Sequence, residues 1–188
     1  NNNFIDGYYL SDPLICDDLI KLYESSNKKV KGKIRKGIDK TIKDSMDVTL
    51  DSNDIESHQF LQNYFNQLGN CLELYKTKYK FCDRGITSWG LENHFNIQKY
   101  KPTQAYHGWH CEKTDQESSY RHLVWMTYLN DVQKGGETEW YFQKLKVKPE
   151  KGLTFIWSAD WTFTHKGYTT IDEDKYIITG WYSFANNR

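Results

Sequence analysis

The chain has 188 residues, and its 25 basic and 25 acidic side chains give a formal net charge of zero. Without net positive charge it lacks a general attraction for nucleic acid or for an acidic membrane surface, so we expect neither as a partner. Aromatic residues make up 16% of the chain. They suit pleated, half-buried surfaces, and their abundance favours a core rich in β-sheet.

A chain of this length fits a single domain. No apolar run approaches the roughly 20 residues that span a bilayer, and the first residues lack the basic and apolar regions of a signal peptide. We therefore expect a soluble, cytoplasmic protein. The four cysteines have no C-x-x-C spacing and are expected to be free thiols. A zinc site that uses Cys71, Cys82 and a histidine is the weaker alternative.

The first half of the chain is predicted to be mainly helical. After a strand-like segment at residues 4–10, Ser11, Asp12 and Pro13 form a helix start signal, which predicts a helix near residues 13–26. Apolar residues at helical spacing predict a second helix from about residue 54 to 80. Residues 28–43 between them hold seven Lys and one Arg against one Asp. This segment is either a solvated loop or a mobile lid over an anionic substrate region.

From residue 85 the sequence changes to short alternating segments that are separated by turn residues. Such segments predict β-strands, and six of them are evident: 94–100, 121–130, 138–142, 145–149, 152–157 and 175–184. No pattern of helical length interrupts them. The fold class predicted is mainly β with flanking helices, a jelly roll or double-stranded β-helix over residues 85–188 that is supported by residues 1–84.

The most informative stretch is YHGWHCEK, residues 106–113. In a strand, His110 and Glu112 would point to one side and Cys111 to the other. His165 in DWTFTHKG offers a third ligand. Two histidines and one carboxylate that leave positions open on a metal are typical of non-haem Fe(II) sites. The remaining histidines are interpreted as core or surface residues: His58, His94, His107 and His122.

A further spacing extends this pattern, because Lys175 follows His165 by ten residues. Residues 98–184 as a whole resemble the Fe(II)/2-oxoglutarate dioxygenases of the prolyl 4-hydroxylase type, most closely the compact phage-encoded members. That family has a Tyr before an H-x-D pair, an Arg at the head of a strand that ends in YLN, a GGET turn, and a distal His followed by Lys or Arg and a Trp. This chain differs in one ligand, since Glu112 replaces the usual Asp.

The resemblance implies a role for each matching residue. The iron ligands would be His110, Glu112 and His165. The residues around 2-oxoglutarate would be Tyr100, Thr138 and Lys175, with Tyr128 either a further contact or a packed aromatic. The residues that face the substrate would be Arg121, Trp181 and Tyr106, with Trp181 alternatively a core tryptophan. The motif around Tyr106 has slipped by one residue, so either Tyr106 or His107 could take that last role. Simple alternation puts Arg121 and Tyr128 on opposite strand faces unless a bulge intervenes.

The implied activity is a hydroxylation. Fe(II), O2 and 2-oxoglutarate would together oxidise an unactivated C–H bond, releasing succinate and carbon dioxide, with ascorbate as an additional reductant. The preferred substrate is a proline of a peptide or protein. Free proline or another small metabolite is the second choice, and a jelly-roll binding module without activity is the rival from another class. A phage-encoded enzyme of this kind would work in the host cytoplasm.

Overall fold

The computed structural model of the protein describes residues 3–185. Two antiparallel sheets form its centre, and helices cover the outer face of the larger one. The strands are β1 Asp6–Tyr9, β2 Val30–Lys31, β3 Met46–Leu50, β4 Trp89–Leu91, β5 Phe95–Tyr100, β6 Arg121–Tyr128, β7 Thr138–Trp140, β8 Leu145–Val147, β9 Leu153–Ser158, β10 His165–Gly167 and β11 Lys175–Phe184. The predicted jelly-roll class is confirmed.

The larger sheet has eight strands: seven follow the order β1-β9-β6-β11-β5-β3-β2, and β4 pairs with the end of β11 on the edge opposite β6. The smaller sheet has three strands in the order β10-β7-β8. All six strands predicted after residue 85 are present. The sheet also recruits β1, β2 and β3 from the first fifty residues, so the division of the chain at residue 84 does not coincide with a structural boundary.

Helices α1 Ile15–Ser25, α2 Ser52–Ser57 and α3 Gln59–Lys78 differ in detail from the predicted ones. The helix predicted over 54–80 is two helices, because His58 adopts an extended backbone between α2 and α3. Asp51 and Asp54 form a capping box at the start of α2, which moves that start ahead of the prediction. The signal at residues 11–13 does not cap α1, since Leu14 precedes the helix without a side-chain cap.

Two apolar clusters hold these layers together. One lies between the helices and the outer face of the large sheet, where Leu19, Leu61 and Leu68 pack against Trp125 and Ile178. The other fills the space between the two sheets and includes Trp140, Phe155 and Trp157. The inner faces of β5, β6 and β11 therefore divide into an apolar part and an open part, and the open part borders a cavity between the sheets.

Across residues 3–185, no helix combines the length and the apolar character needed to cross a membrane. All four cysteines are free thiols, as expected.

Candidate active site

A cavity of about 700 Å³ opens between the two sheets. Its walls come from the inner faces of β5, β6 and β11, from β10 and from the loop that contains residues 106–118. Residues 30–35 lie at its mouth. Every strand that the sequence analysis associated with chemistry reaches this one space.

Three of the predicted ligands converge at one end of the cavity. His110 and His165 exchange backbone hydrogen bonds of 3.0 and 2.8 Å, which places their side chains together. Oε1 of Glu112 lies 3.5 Å from Nε2 of each histidine. One ligand atom from each residue falls within 4.8 Å of the others, and within residues 3–185 no other such group of three forms.

The protonation of these side chains suits a divalent metal. Nδ1 of His110 lies 2.9 Å from the Gly108 carbonyl and Nδ1 of His165 lies 3.0 Å from the Phe163 carbonyl, so each Nδ1 donates to a carbonyl and each Nε2 faces Glu112. Burial and the neighbouring His110 lower the pKa of His165 to about 3. Burial alone would raise the pKa of Glu112. The effects of His110, His165 and Arg121 outweigh that of burial, so the pKa of Glu112 is lowered to about 2. The imidazole nitrogens of two histidines and one carboxylate are a donor set that fits Fe(II).

Cys111 does not occupy the position expected from strand alternation. The segment around it is not a continuous strand, since only Tyr106 and His110 form isolated bridges. Alternation therefore does not apply, and Cys111 lines the cavity with its neighbours. Its thiol approaches the Lys113 carbonyl at 3.6 Å, and burial raises its pKa.

A buried cation lies further along the cavity. Lys175 pairs with Tyr100 across β5 and β11, and its ammonium lies 4.8 Å from the centre of the Tyr100 ring. The ammonium donates a hydrogen bond of 3.0 Å to the Gly136 carbonyl of the GGET turn. That turn requires glycine, because Gly135 has φ of +78° and a Cβ there would lie 2.2 Å from the Thr169 carbonyl oxygen.

Lys175 is 3% exposed and has no carboxylate within salt-bridge distance among the residues described here. Burial lowers its pKa to about 8, and Glu137 offsets the effect only in part. A buried ammonium in a cavity without its counterion attracts an anion from solution. The Tyr100 hydroxyl donates a hydrogen bond of 2.6 Å to Oε1 of Gln98. A ligand that accepts from this hydroxyl would therefore have to displace the Gln98 side chain.

Thr138 lines the same part of the cavity, whereas Tyr128 lies behind it. The fully buried Tyr128 hydroxyl donates to Thr138 Oγ1 at 2.6 Å, which leaves the threonine hydroxyl proton free for another acceptor. The structure thus brings Tyr100, Thr138 and Lys175 together and leaves Tyr128 in contact with the cavity only through Thr138.

A bulge in β6 brings Arg121 to the cavity side. In the pairing with β11, Leu123 lies opposite Tyr182, but Arg121 lies opposite the next residue, Ser183. One residue of β6 is therefore left without a partner between them. Because of this extra residue, Arg121 shares the cavity face with Val124 and Met126 rather than the outer face. Trp181 also lines the cavity, and its ring lies 3.7 Å below the Arg121 guanidinium carbon.

Of the two candidates in the slipped motif, Tyr106 lines the cavity and His107 is exposed to solvent. The Tyr106 ring stacks on the His110 ring with a centroid distance of 3.5 Å and an interplanar angle of 8°. It therefore limits the space on one side of His110.

A buried ion pair in the same wall is not evident from the sequence pattern. Lys43 and Asp47 are both almost completely buried, and Nζ of Lys43 lies 2.6 Å from Oδ2 of Asp47. The Ser45 hydroxyl donates a hydrogen bond of 2.8 Å to the other carboxylate oxygen. These residues sit in a stretch dense with charges, which favours a solvated loop. The one signal that could have identified them is the apolar Val48 and Leu50 in alternation with Asp47, which is typical of a strand.

The Lys-rich segment 28–43 is a short strand and a turn at the mouth of the cavity rather than a detached loop. Arg35 reaches across the mouth to Asp115 at 2.8 Å and to Glu117 at 3.1 Å. The segment and the loop 112–118 thus form two sides of the entrance.

The model of the 2OG-Fe(II) oxygenase superfamily matches residues 95–183. Residues 95–183 are a 2OG-Fe(II) oxygenase domain. The match contains the proposed metal ligands His110, Glu112 and His165, and also Lys175. Residues 1–94 lie outside it, so a single oxygenase domain over the whole chain stays a prediction. A comparison with curated protein sequences finds no match.

Solved structures with the same fold cover almost the entire chain. A viral collagen prolyl hydroxylase from Paramecium Bursaria Chlorella virus-1, in complex with 2OG, has 18% identity and a TM-score of 0.68 over 96% of each chain. A Pseudomonas putida prolyl-4-hydroxylase has 14% identity and a TM-score of 0.71 over 98% of this chain and 95% of its own. A Trichoplax adhaerens prolyl hydroxylase in complex with a hypoxia inducible factor peptide fragment has 15% identity and a TM-score of 0.75 over 97% of this chain and 84% of its own.

The oxygenase domain confirms the predicted reaction class. The protein is a 2-oxoglutarate-dependent dioxygenase, and its cofactor and co-substrates are Fe(II), 2-oxoglutarate and O2. A complete set of three ligand side chains gives the rival hypothesis of an inactive jelly-roll module no support.

Proposed function

We propose that this dioxygenase hydroxylates proline residues in peptides or proteins. The observation that carries the proposal is the layout of one cavity. Three ligand atoms converge at one end, and a buried ammonium lies at the other with no carboxylate from residues 3–185 within salt-bridge distance. The three solved structures named above, which share this fold, are prolyl hydroxylases, and one of them holds a peptide fragment.

In this proposal Fe(II) is held by Nε2 of His110, Nε2 of His165 and one carboxylate oxygen of Glu112. The metal, when bound with 2-oxoglutarate and O2, supplies the oxidising power for C–H hydroxylation. The protein groups need no acid–base chemistry. They keep one side of the site open, orient both reactants and exclude water.

Lys175, Tyr100 and Thr138 hold the distal carboxylate of 2-oxoglutarate. The backbone of β10 links the two ends of the site, because Gly167 lies beside the Lys175 ammonium and two residues beyond His165, or roughly 7 Å along a strand. A five-carbon diacid is a suitable length to bridge a metal beside His165 and a cation beside Gly167. The carboxylate would replace Gly136 and Gln98 as partners of the ammonium and the phenol.

The substrate enters over Tyr106, Arg121 and Trp181. These side chains line the part of the cavity that opens toward the mouth, between residues 30–35 and the loop 112–118. A mouth bounded on two sides by separate chain segments leaves its ends free for a polypeptide to pass, which favours a peptide over free proline.

The test is incubation with Fe(II), 2-oxoglutarate and ascorbate, with three groups of substrates. The groups are proline-containing peptides that include collagen-like repeats, the same peptides with Ala for Pro, and free proline. We expect a one-oxygen mass gain in the first group alone, coupled to succinate release, and none with His165→Ala. Ascorbate is proposed as a reductant that sustains turnover, so its omission should lower the yield. A mass gain in free proline alone would reject the peptide and support the small-molecule alternative.

A further inference from the structure

The two oxygens of the Glu112 carboxylate have different surroundings. Oε1 faces Nε2 of His110 and His165 at 3.5 Å each. Oε2 accepts a hydrogen bond of 3.0 Å from the Trp181 indole N–H and lies 3.7 Å from the Arg121 guanidinium. One oxygen thus points to the proposed metal position, and the other is held by the protein.

The groups that hold Oε2 are themselves fixed. The Arg121 guanidinium stacks on the Trp181 ring at 3.7 Å and donates a hydrogen bond of 3.1 Å to the Glu112 backbone carbonyl. Its Nε lies 3.5 Å from Oε1 of Glu92. Glu92 is bound to β11 by a hydrogen bond from Ser183 and by its own backbone N–H, which donates to the Trp181 carbonyl at 2.9 Å.

This arrangement compensates for the longer side chain at position 112. Glutamate has one more rotatable bond than aspartate, and either or both of its oxygens can reach a metal ion. Binding through both oxygens would occupy one of the three positions that a two-histidine, one-carboxylate site leaves open. Since 2-oxoglutarate needs two of these positions and oxygen needs the third, a carboxylate that used both oxygens would compete with them.

We propose that Trp181 and Arg121 are positioning residues that engage Oε2 and restrict Glu112 to binding the metal through Oε1 alone. This inference rests on the metal site of the proposed function. It gives Arg121 and Trp181 a role toward the ligand Glu112, in addition to their place on the substrate side of the cavity. Glu92 orients Arg121 and contributes indirectly.

The experiment counts open metal positions with Mn(II) as the probe. The relaxation rate of water protons increases with the number of exchangeable waters on protein-bound Mn(II). We expect three waters in the unaltered protein and two in Trp181→Phe and in Arg121→Met, so the relaxivity of each variant falls by about one third. The affinity of the Mn(II) protein for 2-oxoglutarate should fall by about tenfold, within the range typical of outer contacts to metal ligands.

Trp89→Phe is the matched control, because Trp89 is a half-buried tryptophan on β4, the strand paired with the end of β11, and does not line the cavity. It should leave relaxivity and 2-oxoglutarate affinity unchanged. Arg121→Lys, which keeps a cation but loses the planar fork, serves as a third variant if Arg121→Met does not fold by circular dichroism. Unaltered relaxivity and affinity in the folded Trp181 and Arg121 variants would overturn the inference.

Neither readout depends on turnover, so the two proposals fail separately. If relaxivity changes as expected but no peptide is hydroxylated, only the proposed function is wrong. If the unaltered protein hydroxylates peptides while the variants keep full relaxivity, only the positioning role is wrong.

Discussion

Tyr100 and Lys175 are directly paired residues of neighbouring antiparallel strands, and the Lys175 ammonium lies 4.8 Å from the centre of the Tyr100 ring. The ring supplies a weak attraction for the cation, but it cannot replace a counterion. The pair therefore presents a charge and a hydroxyl to whatever anion enters the cavity.

Replacing Lys175 with methionine should reduce the affinity for 2-oxoglutarate by roughly 30-fold or more. The distal carboxylate would be buried without its cation, and the loss of one partner of a desolvated pair costs about 2 to 5 kcal/mol, where about 1.4 kcal/mol is a tenfold change. Titration of 2-oxoglutarate into the metal-loaded variant measures it. Lys99→Met is the control, because Lys99 is the strand neighbour of Tyr100 and pairs with Glu24 and Asp174 outside the cavity.

Binding of 2-oxoglutarate should also weaken at alkaline pH. Burial lowers the pKa of Lys175 to about 8, so the free protein holds a charged ammonium below that pH and loses it above. Because the dianion binds the charged form, affinity should be constant below pH 8 and fall by up to about tenfold per pH unit above it. Titrations between pH 6.5 and 10 test this, and a flat profile would contradict it. Lys175→Met should remove the dependence.

Loss of the Tyr100 hydroxyl should reduce the affinity for 2-oxoglutarate less than loss of the Lys175 charge does. Loss of the Tyr128 hydroxyl should have a smaller effect still. Tyr100→Phe removes a neutral donor worth about 1 kcal/mol, or roughly fivefold in 2-oxoglutarate affinity. Tyr128→Phe removes only a bond to Thr138 behind the cavity wall. A Tyr128→Phe effect as large as that of Tyr100→Phe would mean that Tyr128 contacts the ligand directly.

At the metal end, alanine in place of His110, Glu112 or His165 should abolish tight Fe(II) binding, because each removes one of three donors. Cys111→Ala should retain it, although Cys111 lines the cavity, since its thiol contacts the Lys113 carbonyl and not the ligand group. Equilibrium dialysis with Fe(II) under anaerobic conditions measures both. Loss of iron from Cys111→Ala would show that the ligand set is incomplete.

The sequence predicts the second half of the fold well because its strands alternate apolar and polar residues in the usual way. Strand β3 alternates in the same way, but its polar face lies toward the cavity, where the buried Asp47 pairs with Lys43, a contact that sequence does not reveal. The break at His58 is equally hidden, because apolar spacing continues across it. Local periodicity identifies elements but not the contacts that override it.

The site is predictable in its residues and not in its details. The resemblance to the prolyl 4-hydroxylase type predicts one cavity that contains His110, Glu112, His165 and Lys175, and the structure has that cavity. The surroundings of Glu112 depend on the bulge that turns Arg121 inward, which shifts the strand register by one residue. Sequence alternation alone places Arg121 on the wrong face, so the contact with Oε2 could be found only in three dimensions.

The last prediction concerns the entrance. Arg35 joins the Lys-rich segment to the loop 112–118, but its side chain is 55% exposed and Glu117 is 82% exposed. Surface ion pairs of this kind contribute about 1 kcal/mol or less and are screened by salt. Arg35→Ala should therefore increase amide hydrogen exchange in residues 30–43 and raise the KM for a peptide substrate by no more than about fivefold, with Fe(II) affinity unchanged. High salt should reproduce the effect in the unaltered protein. Lys36→Ala removes a neighbouring cation that does not line the cavity, so it should change none of these quantities; equal effects from both variants would mean that overall charge, not the Arg35 bridge, controls the entrance.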